Sequence, residues 1–177
     1  MSKGSDTRVL GALIQGYLGA CLNLNIVANR KISVMQSQID VNEWYPLSTW
    51  VELQDTVLES YDHAEAILLR VGIEMMRAWY HFGPGKQLVE SGVGFLHFQT
   101  GSNGYTSVVN GPTEIVGSFA LESIDEEHGL ALVHSTTPFD RNMECGVLVG
   151  GMLAPGDLDY VDVTNRNDPD RLEIEFH

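Results

Sequence analysis

The sequence predicts an α+β domain in which a four-stranded antiparallel sheet, formed by two hairpins, carries helices on one face. Three observations predict it. Up to about residue 98, apolar residues recur every three or four positions, which is typical of amphipathic helices. The stretches 114–135 and 157–177 alternate apolar and polar residues on either side of a polar turn, which indicates two hairpins. A further helical stretch, about 141–153, separates them.

The first two helices are predicted before residue 62. Residues 9–23 place apolar side chains in steps of three and four, which favours a buried helix, while the structure of residues 26–39 is left open. The second helix begins at Pro46, because the first helical position has no need of the amide hydrogen that proline lacks. Trp50 then lies on its apolar side.

The next two helices follow directly. Residues 62–82 form an amphipathic helix with Met75 and Trp79 on the core side, and a Gly-Pro-Gly turn ends it. A helix over roughly 86–98 buries Phe95. Together with the two earlier segments, these helices provide the layer that covers the sheet.

The first predicted hairpin has strands at 114–124 and 130–135 around a polar turn that ends in glycine. On the second strand, Leu130, Leu132 and His134 share one face. We expect that face to be turned to the core, with His134 as a hydrogen-bonded core histidine.

The helix between the hairpins carries a cap and two spaced glycines. Asp140 is the expected N-cap of a helix over about 141–153. Gly146 and Gly150 are four residues apart, so they lie on one side of the helix and allow a neighbouring helix to approach closely. The second hairpin, 157–177, completes the sheet.

Size and charge exclude several classes of protein. The chain has 177 residues, and we expect one domain with residues 1–7 as a flexible N-terminus. A net charge of −14 disfavours nucleic acids and anionic membranes, since both are negatively charged. The longest weakly polar run, residues 9–24, is too short and too polar for a membrane span. Two cysteines without CxxC spacing suggest a reduced, cytoplasmic protein.

A proline-containing segment and a glycine-containing helix carry a resemblance to known proteins. Tyr45, Pro46 and Trp50 precede two helices, and residues 145–150 (CGVLVG) form the helix between the hairpins. This order resembles the superfamily of heme nitric-oxide/oxygen-binding (H-NOX) sensor domains, 4-vinyl reductase domains and transport-particle subunits of vesicle tethering. It looks closest to an uncharacterised bacterial branch, over about residues 9–176. The resemblance implies a ligand-binding or protein-interaction domain with an H-NOX-like fold.

One histidine is a candidate heme ligand through this resemblance. H-NOX relatives hold heme through a histidine on a helix before the first hairpin, and His97 lies at about that place. Their Tyr-x-Ser-x-Arg motif for the heme propionates is matched here only by Ser135. On a helical wheel His97 falls about 130° from the apolar side, so a surface histidine is the alternative interpretation.

We therefore expect a non-enzymatic sensory domain with an apolar pocket for a small hydrophobic molecule. The sequence shows no catalytic acid/base pair, no nucleophile with an assignable base and no metal-ligand spacing. Two alternatives stay open: a heme-binding gas sensor that uses His97, and a homodimeric interaction module or one with a signalling partner. The candidate pocket residues are Trp50, Met75, Trp79, Phe95 and Cys145, and the alternative interpretation of each is an ordinary core residue.

Overall fold

The computed structural model describes residues 6–26 and 30–177. Within these ranges the chain forms seven strands and nine helices. None of these helices combines the length and the apolar character that crossing a bilayer requires. The elements are β1 (Arg8–Leu10), α1 (Gly11–Asn23), α2 (Arg30–Gln36), β2 (Trp44–Pro46), α3 (Leu47–Ser60), α4 (Ala64–Phe82), α5 (Gly85–Leu88), α6 (Gly92–Thr100), α7 (Tyr105–Val108), β3 (Val109–Asn110), α8 (Thr113–Val116), β4 (Phe119–Asp125), β5 (Leu130–Ser135), α9 (Arg141–Leu153), β6 (Val161–Thr164) and β7 (Arg171–Phe176).

The main sheet is four-stranded and antiparallel, in the order β4-β5-β7-β6, so the predicted sheet of two hairpins is confirmed. Its buried face carries Val133, Leu172 and Ile174, and Val133 pairs with Leu172 across β5 and β7. Helices α6 and α9 contact this sheet. The opposite face carries exposed charges such as Glu173 and Glu175, as expected for a sheet covered on one side.

The orientation predicted for β5 is wrong. Leu130 is 49 % exposed, whereas Ala131 and Val133 are buried. His134, on the same side as Leu130, is half-buried and is not a core residue. Both alternating sets of β5 contain apolar residues, so a period of two could not choose between them. Pairing with the strongly patterned strand β7 decides the orientation.

A second, three-stranded antiparallel sheet, in the order β2-β1-β3, was not predicted. Val9 pairs with Tyr45 on one side and with Val109 on the other. The sequence predicted a helix from residue 9, but the first helix begins at Gly11. Strands of two or three residues are too short to show an alternating pattern, so helical periodicity alone could not reveal them.

Helices α6 and α9 begin at side-chain caps, whereas α3 begins without one. Helix α3 begins directly after Pro46, and α9 has the predicted start, since the Asn142 and Met143 amides donate to Asp140 Oδ1 at 2.8 and 3.3 Å. The single helix predicted over 86–98 is two helices, α5 and α6. The break lies at Ser91, whose Oγ accepts from the Gly94 amide at 2.9 Å and caps α6.

The first hairpin also begins later than predicted. Residues 113–116 form the short helix α8, and Gly117 follows it with a φ of +67°, a conformation that favours glycine. Strand β4 starts only at Phe119. The expected flexible N-terminus lies outside the described residues up to residue 5. Thr7 is fully buried, and its carbonyl accepts a hydrogen bond from the Leu47 amide at 2.9 Å.

Helix α9 lies between the sheet and α4, and glycines bring α4 and α9 into backbone contact. A Cβ on Gly72 would collide with the Met143 carbonyl, and one on Gly146 would collide with the Leu69 carbonyl. A Cβ on Gly150 would likewise collide with the Ile73 carbonyl, one turn further along α4. The close approach predicted for Gly146 and Gly150 is therefore confirmed.

Candidate functional site

A cavity of about 290 Å³ lies among the helices and reaches the edge of the main sheet. Its walls come from α1, α4, α6, α7 and α9, together with Phe119 of β4 and Phe139 before α9. The larger apolar side chains that line it are Leu13, Met75, Met76, Trp79, Phe95, Phe98, Val108, Phe119, Phe139, Met143 and Val147.

Helical spacing brings the aromatic wall together. Met75 and Trp79 are four residues apart on α4, and Phe95 and Phe98 are three apart on α6, so each pair shares one side of its helix. The Trp79 ring centroid lies 6.1 Å from that of Phe95 and 5.4 Å from that of Phe98. These contacts join α4 and α6 into one continuous apolar wall.

The cavity has an open and a closed end. Ala12, Asn103 and Ser107 are exposed, so the open end lies beside α1 and the segment that leads into α7. The lining residues Tyr105 and Glu144 are buried, at 3 % and 4 % exposure, and belong to the closed end.

Of the five pocket residues predicted from the sequence, Met75, Trp79 and Phe95 line this cavity, whereas Trp50 and Cys145 do not. Trp50 is fully buried one layer behind the wall, with its ring centroid 4.8 Å from that of Phe139. Cys145 is buried on α9 and directly follows the lining residue Glu144. Its side chain therefore lies on a different side of the helix from the one that lines the cavity.

Neither cysteine is suited to nucleophilic chemistry. Both thiols are free and buried. Burial raises the pKa of Cys21 and the pKa of Cys145 to about 12 each, so both are protonated at neutral pH.

The candidate heme ligand lies elsewhere. His97 is exposed on α6 and is not part of the cavity wall, although Phe95 and Phe98 of the same helix are. No histidine is among the described residues that line the cavity. Among residues 6–26 and 30–177, no group of three or more His, Cys, Asp or Glu side chains is placed to hold a metal ion.

A buried polar cluster at the closed end was not predicted. The Glu144 carboxylate accepts from Ser135 Oγ at 2.8 Å, from Arg141 Nη1 at 3.1 Å and from Thr137 Oγ1. We call these four residues the Glu144 cluster. Arg141 Nη2 also donates to Asp170 Oδ1 at 3.2 Å, which connects the cluster to the turn before β7.

Burial of the charged form of Glu144 is electrostatically unfavourable. Burial raises the pKa of Glu144, and the hydrogen bonds from Thr137 and Ser135 and the charge of Arg141 oppose this rise. Burial likewise raises the pKa of Tyr105, whose hydroxyl donates to the Val116 carbonyl. Tyr105 is therefore a neutral hydroxyl at the closed end of the cavity.

A sequence signal for this cluster exists in retrospect. Glu144 is the only charged side chain of α9 after Arg141, three residues earlier, and apart from Asn142 the rest of the helix is apolar or glycine. A lone acid on an otherwise apolar helix, with an arginine three residues before it, indicates a buried pair. Ser135 and Thr137 come from β5 and the segment after it, so only the fold brings them to the pair.

The chain matches no known protein-family model, and neither the curated proteins nor the solved structures contain a significant match to it.

Proposed function

We propose that this protein is a non-enzymatic, sensory ligand-binding domain whose cavity takes up a small hydrophobic molecule. The observation that carries the proposal is the cavity of about 290 Å³ between α1, α4, α6, α7 and α9. Its volume is close to the lower end of the range of small-molecule sites, roughly 300–1,000 Å³. A binding site of this volume accommodates only a small ligand.

The chemistry of the walls supports an apolar ligand. Methionine and aromatic side chains dominate the lining, and the polar side chains Gln99, Asn103 and Ser107 lie on the α6–α7 side towards solvent. Burial of apolar ligand surface is favourable by about 25 cal/mol per Å². An apolar body inside and a few polar groups at the ends are typical of small-molecule sites.

The order of hairpin, helix and hairpin supports the kinship with the H-NOX-like superfamily that the sequence suggested, and the proposal includes that kinship. Heme binding through His97, a homodimeric interaction role, a signalling partner and a cytoplasmic location stay predictions. No contact among the described residues favours heme binding or dimer formation specifically. We therefore propose that the apolar cavity binds a small hydrophobic molecule.

Two glycines of α1 allow a matched test. Gly16 lines the cavity, and a Cβ there would lie 3.8 Å from Met75 Cε, in ordinary contact. A Cβ on Gly19, three residues later, would have no heavy atom within 4 Å. Gly16→Leu therefore fills the cavity, whereas Gly19→Leu makes the same change on the same helix outside it.

The experiment is a titration of the full chain with the neutral fluorescent probe N-phenylnaphthylamine, with native mass spectrometry of the purified protein for a retained small molecule. We expect the probe to bind the unaltered chain and Gly19→Leu with similar affinity. We expect Gly16→Leu to bind it at least about tenfold more weakly, since tenfold is only about 1.4 kcal/mol. Equal binding by the two variants, or no binding by the unaltered chain, would overturn the proposal.

A further inference from the structure

We propose that the molecule taken up by the cavity carries a hydrogen-bond-donating head, an alcohol or an amine, which binds to Glu144 at the closed end. This inference rests on the proposed ligand-binding function and names the chemistry of its ligand. It is carried by the contacts of the Glu144 cluster and of Tyr105.

The Glu144 carboxylate has room for one more donor. A carboxylate accepts about four hydrogen bonds, and Glu144 accepts three. Two of these, from Ser135 and Arg141, go to Oε2, whereas Oε1 accepts only from Thr137. Burial raises the pKa of Glu144 and the guanidinium of Arg141 opposes that rise; in its ionised form the carboxylate accepts and cannot donate. Oε1, which accepts one hydrogen bond fewer than Oε2, is the oxygen suited to a further donor.

Tyr105 adds a second acceptor. Its hydroxyl hydrogen is committed to the Val116 carbonyl, so the hydroxyl oxygen can only accept from a ligand. The other lining residues beside it, Phe119, Phe139 and Met143, have no side-chain donor. The described residues that line the closed end therefore offer acceptors to a ligand and no free side-chain donor, since Arg141, whose buried Nε has no partner, does not line the cavity.

The local charge disfavours an anionic head. Arg141 supplies one positive charge, but two carboxylates share it, Glu144 at 3.1 Å and Asp170 at 3.2 Å. With Glu144 ionised, the group of three is therefore negative by one charge. A fatty acid would place a further carboxylate beside Glu144 in a buried site, where like charges repel strongly. A neutral or cationic donor avoids that repulsion.

The apolar body of the ligand then lies between Met75, Trp79 and Phe95, with its end towards α1 and α7. A short amphiphile with one donor at its end satisfies both parts of the cavity. This arrangement gives Oε1 of Glu144 a second hydrogen-bond donor besides Thr137.

The test compares four ligands that share an eight-carbon chain: octanol, octylamine, octyl methyl ether and octanoate. Each displaces N-phenylnaphthylamine from the full chain, and the displacement gives its Kd. We expect octanol and octylamine to bind at least about tenfold more tightly than the ether, which accepts only, and than octanoate, which is an anion.

A pair of carboxylate-to-amide variants locates the effect. Glu144→Gln removes the proposed acceptor charge, so we expect the preference for octanol and octylamine over the ether to fall below about threefold. Asp170→Asn changes the other carboxylate that Arg141 binds, on an exposed turn. We expect this variant to keep the ranking of the unaltered chain.

The outcomes separate this inference from the function on which it rests. If all four ligands bind equally, or octanoate binds best, the inference is overturned while the ligand-binding function stands. If none of them binds and the probe does not bind either, both are overturned. If Glu144→Gln keeps the full ranking, Glu144 is not the acceptor and the inference is overturned. The ranking in the unaltered chain decides the matter even if Glu144→Gln fails to fold.

Discussion

Gly72 of α4 and Gly146 of α9 meet with no side chain between them: a Cβ on Gly146 would lie 3.1 Å from the Gly72 Cα. The contact occurs where the two helices cross, beside the Met143 and Leu69 carbonyls. Because Met143 and Met75 lie on these same helices and line the cavity, the crossing fixes the separation of two cavity walls.

Gly146→Ala should destabilise the protein. The added methyl group would meet the Leu69 carbonyl, a backbone atom that cannot move alone, and overpacking of this kind costs about 1–3 kcal/mol. Gly19→Ala is the control, because it meets no atom within 4 Å and should stabilise α1 by up to about 1 kcal/mol. Urea unfolding of both variants measures the two changes. An unchanged free energy of unfolding for Gly146→Ala would contradict the crossing described here.

Arg141→Met should be strongly destabilising. Arg141 is 18 % exposed, and its loss would leave the buried Glu144 carboxylate without its counter-charge, which costs about 3 kcal/mol or more. Arg171→Met is the matched control, because Arg171 is 45 % exposed and its ion pairs with Glu122 and Asp168 are screened by water. The free energy of unfolding from urea titrations should fall far more for the first variant. Equal effects would show that the Glu144 cluster is not a buried network.

The stability of the unaltered chain relative to Glu144→Gln should decrease as the pH rises. Burial holds the folded-state pKa of Glu144 above its ordinary value of 4.5, so the folded state binds the proton more tightly than the unfolded chain does. The stabilisation from that proton is fully present below pH 4.5 and is lost as the pH rises through the raised pKa.

Glutamine does not titrate, so the difference between the two proteins isolates this one group. Urea unfolding at a series of pH values, from the acid side of 4.5 to neutrality, measures that difference. A difference that stays constant or grows in favour of the unaltered chain would contradict the direction of the pKa shift.

Trp50→Ala should cost about 3–5 kcal/mol, the usual loss when a large aromatic core side chain is removed. Trp50 is fully buried, and its ring packs between Tyr17 at 5.0 Å and Phe139 at 4.8 Å. Trp44→Ala, at 37 % exposure, makes the same substitution outside the core and should cost clearly less. Thermal and urea unfolding of both variants test the difference, and a larger loss for Trp44→Ala would refute this description of the core.

The parts of the fold that local chemistry specifies could be predicted from the sequence. The cap at Asp140, the stop after Phe82 and the alternation of Leu172 with Ile174 are signals within a few residues, and the corresponding elements form as expected. The side of β5 that faces the core could not be predicted, because it depends on pairing with β7, about forty residues later.

The candidate site was predicted only where helical spacing alone decides the matter. Met75, Trp79 and Phe95 lie on the apolar sides of their helices and line the cavity. Trp50 shows the same spacing, but Phe139 stands between it and the cavity, and no periodicity encodes which layer a side chain occupies. The Glu144 cluster was missed because its hydroxyl donors come from a different element.

The backbone contact between α4 and α9 also has a mechanical consequence. Two helices that touch through glycines cannot be pushed apart without losing that contact along several turns, so this half of the wall is stiff. The opposite half carries exposed residues instead, Ala12 on α1 and Asn103 in the segment before α7. We therefore expect a ligand that enters the cavity to displace α1 and that segment, so that binding changes the protein surface on one side only.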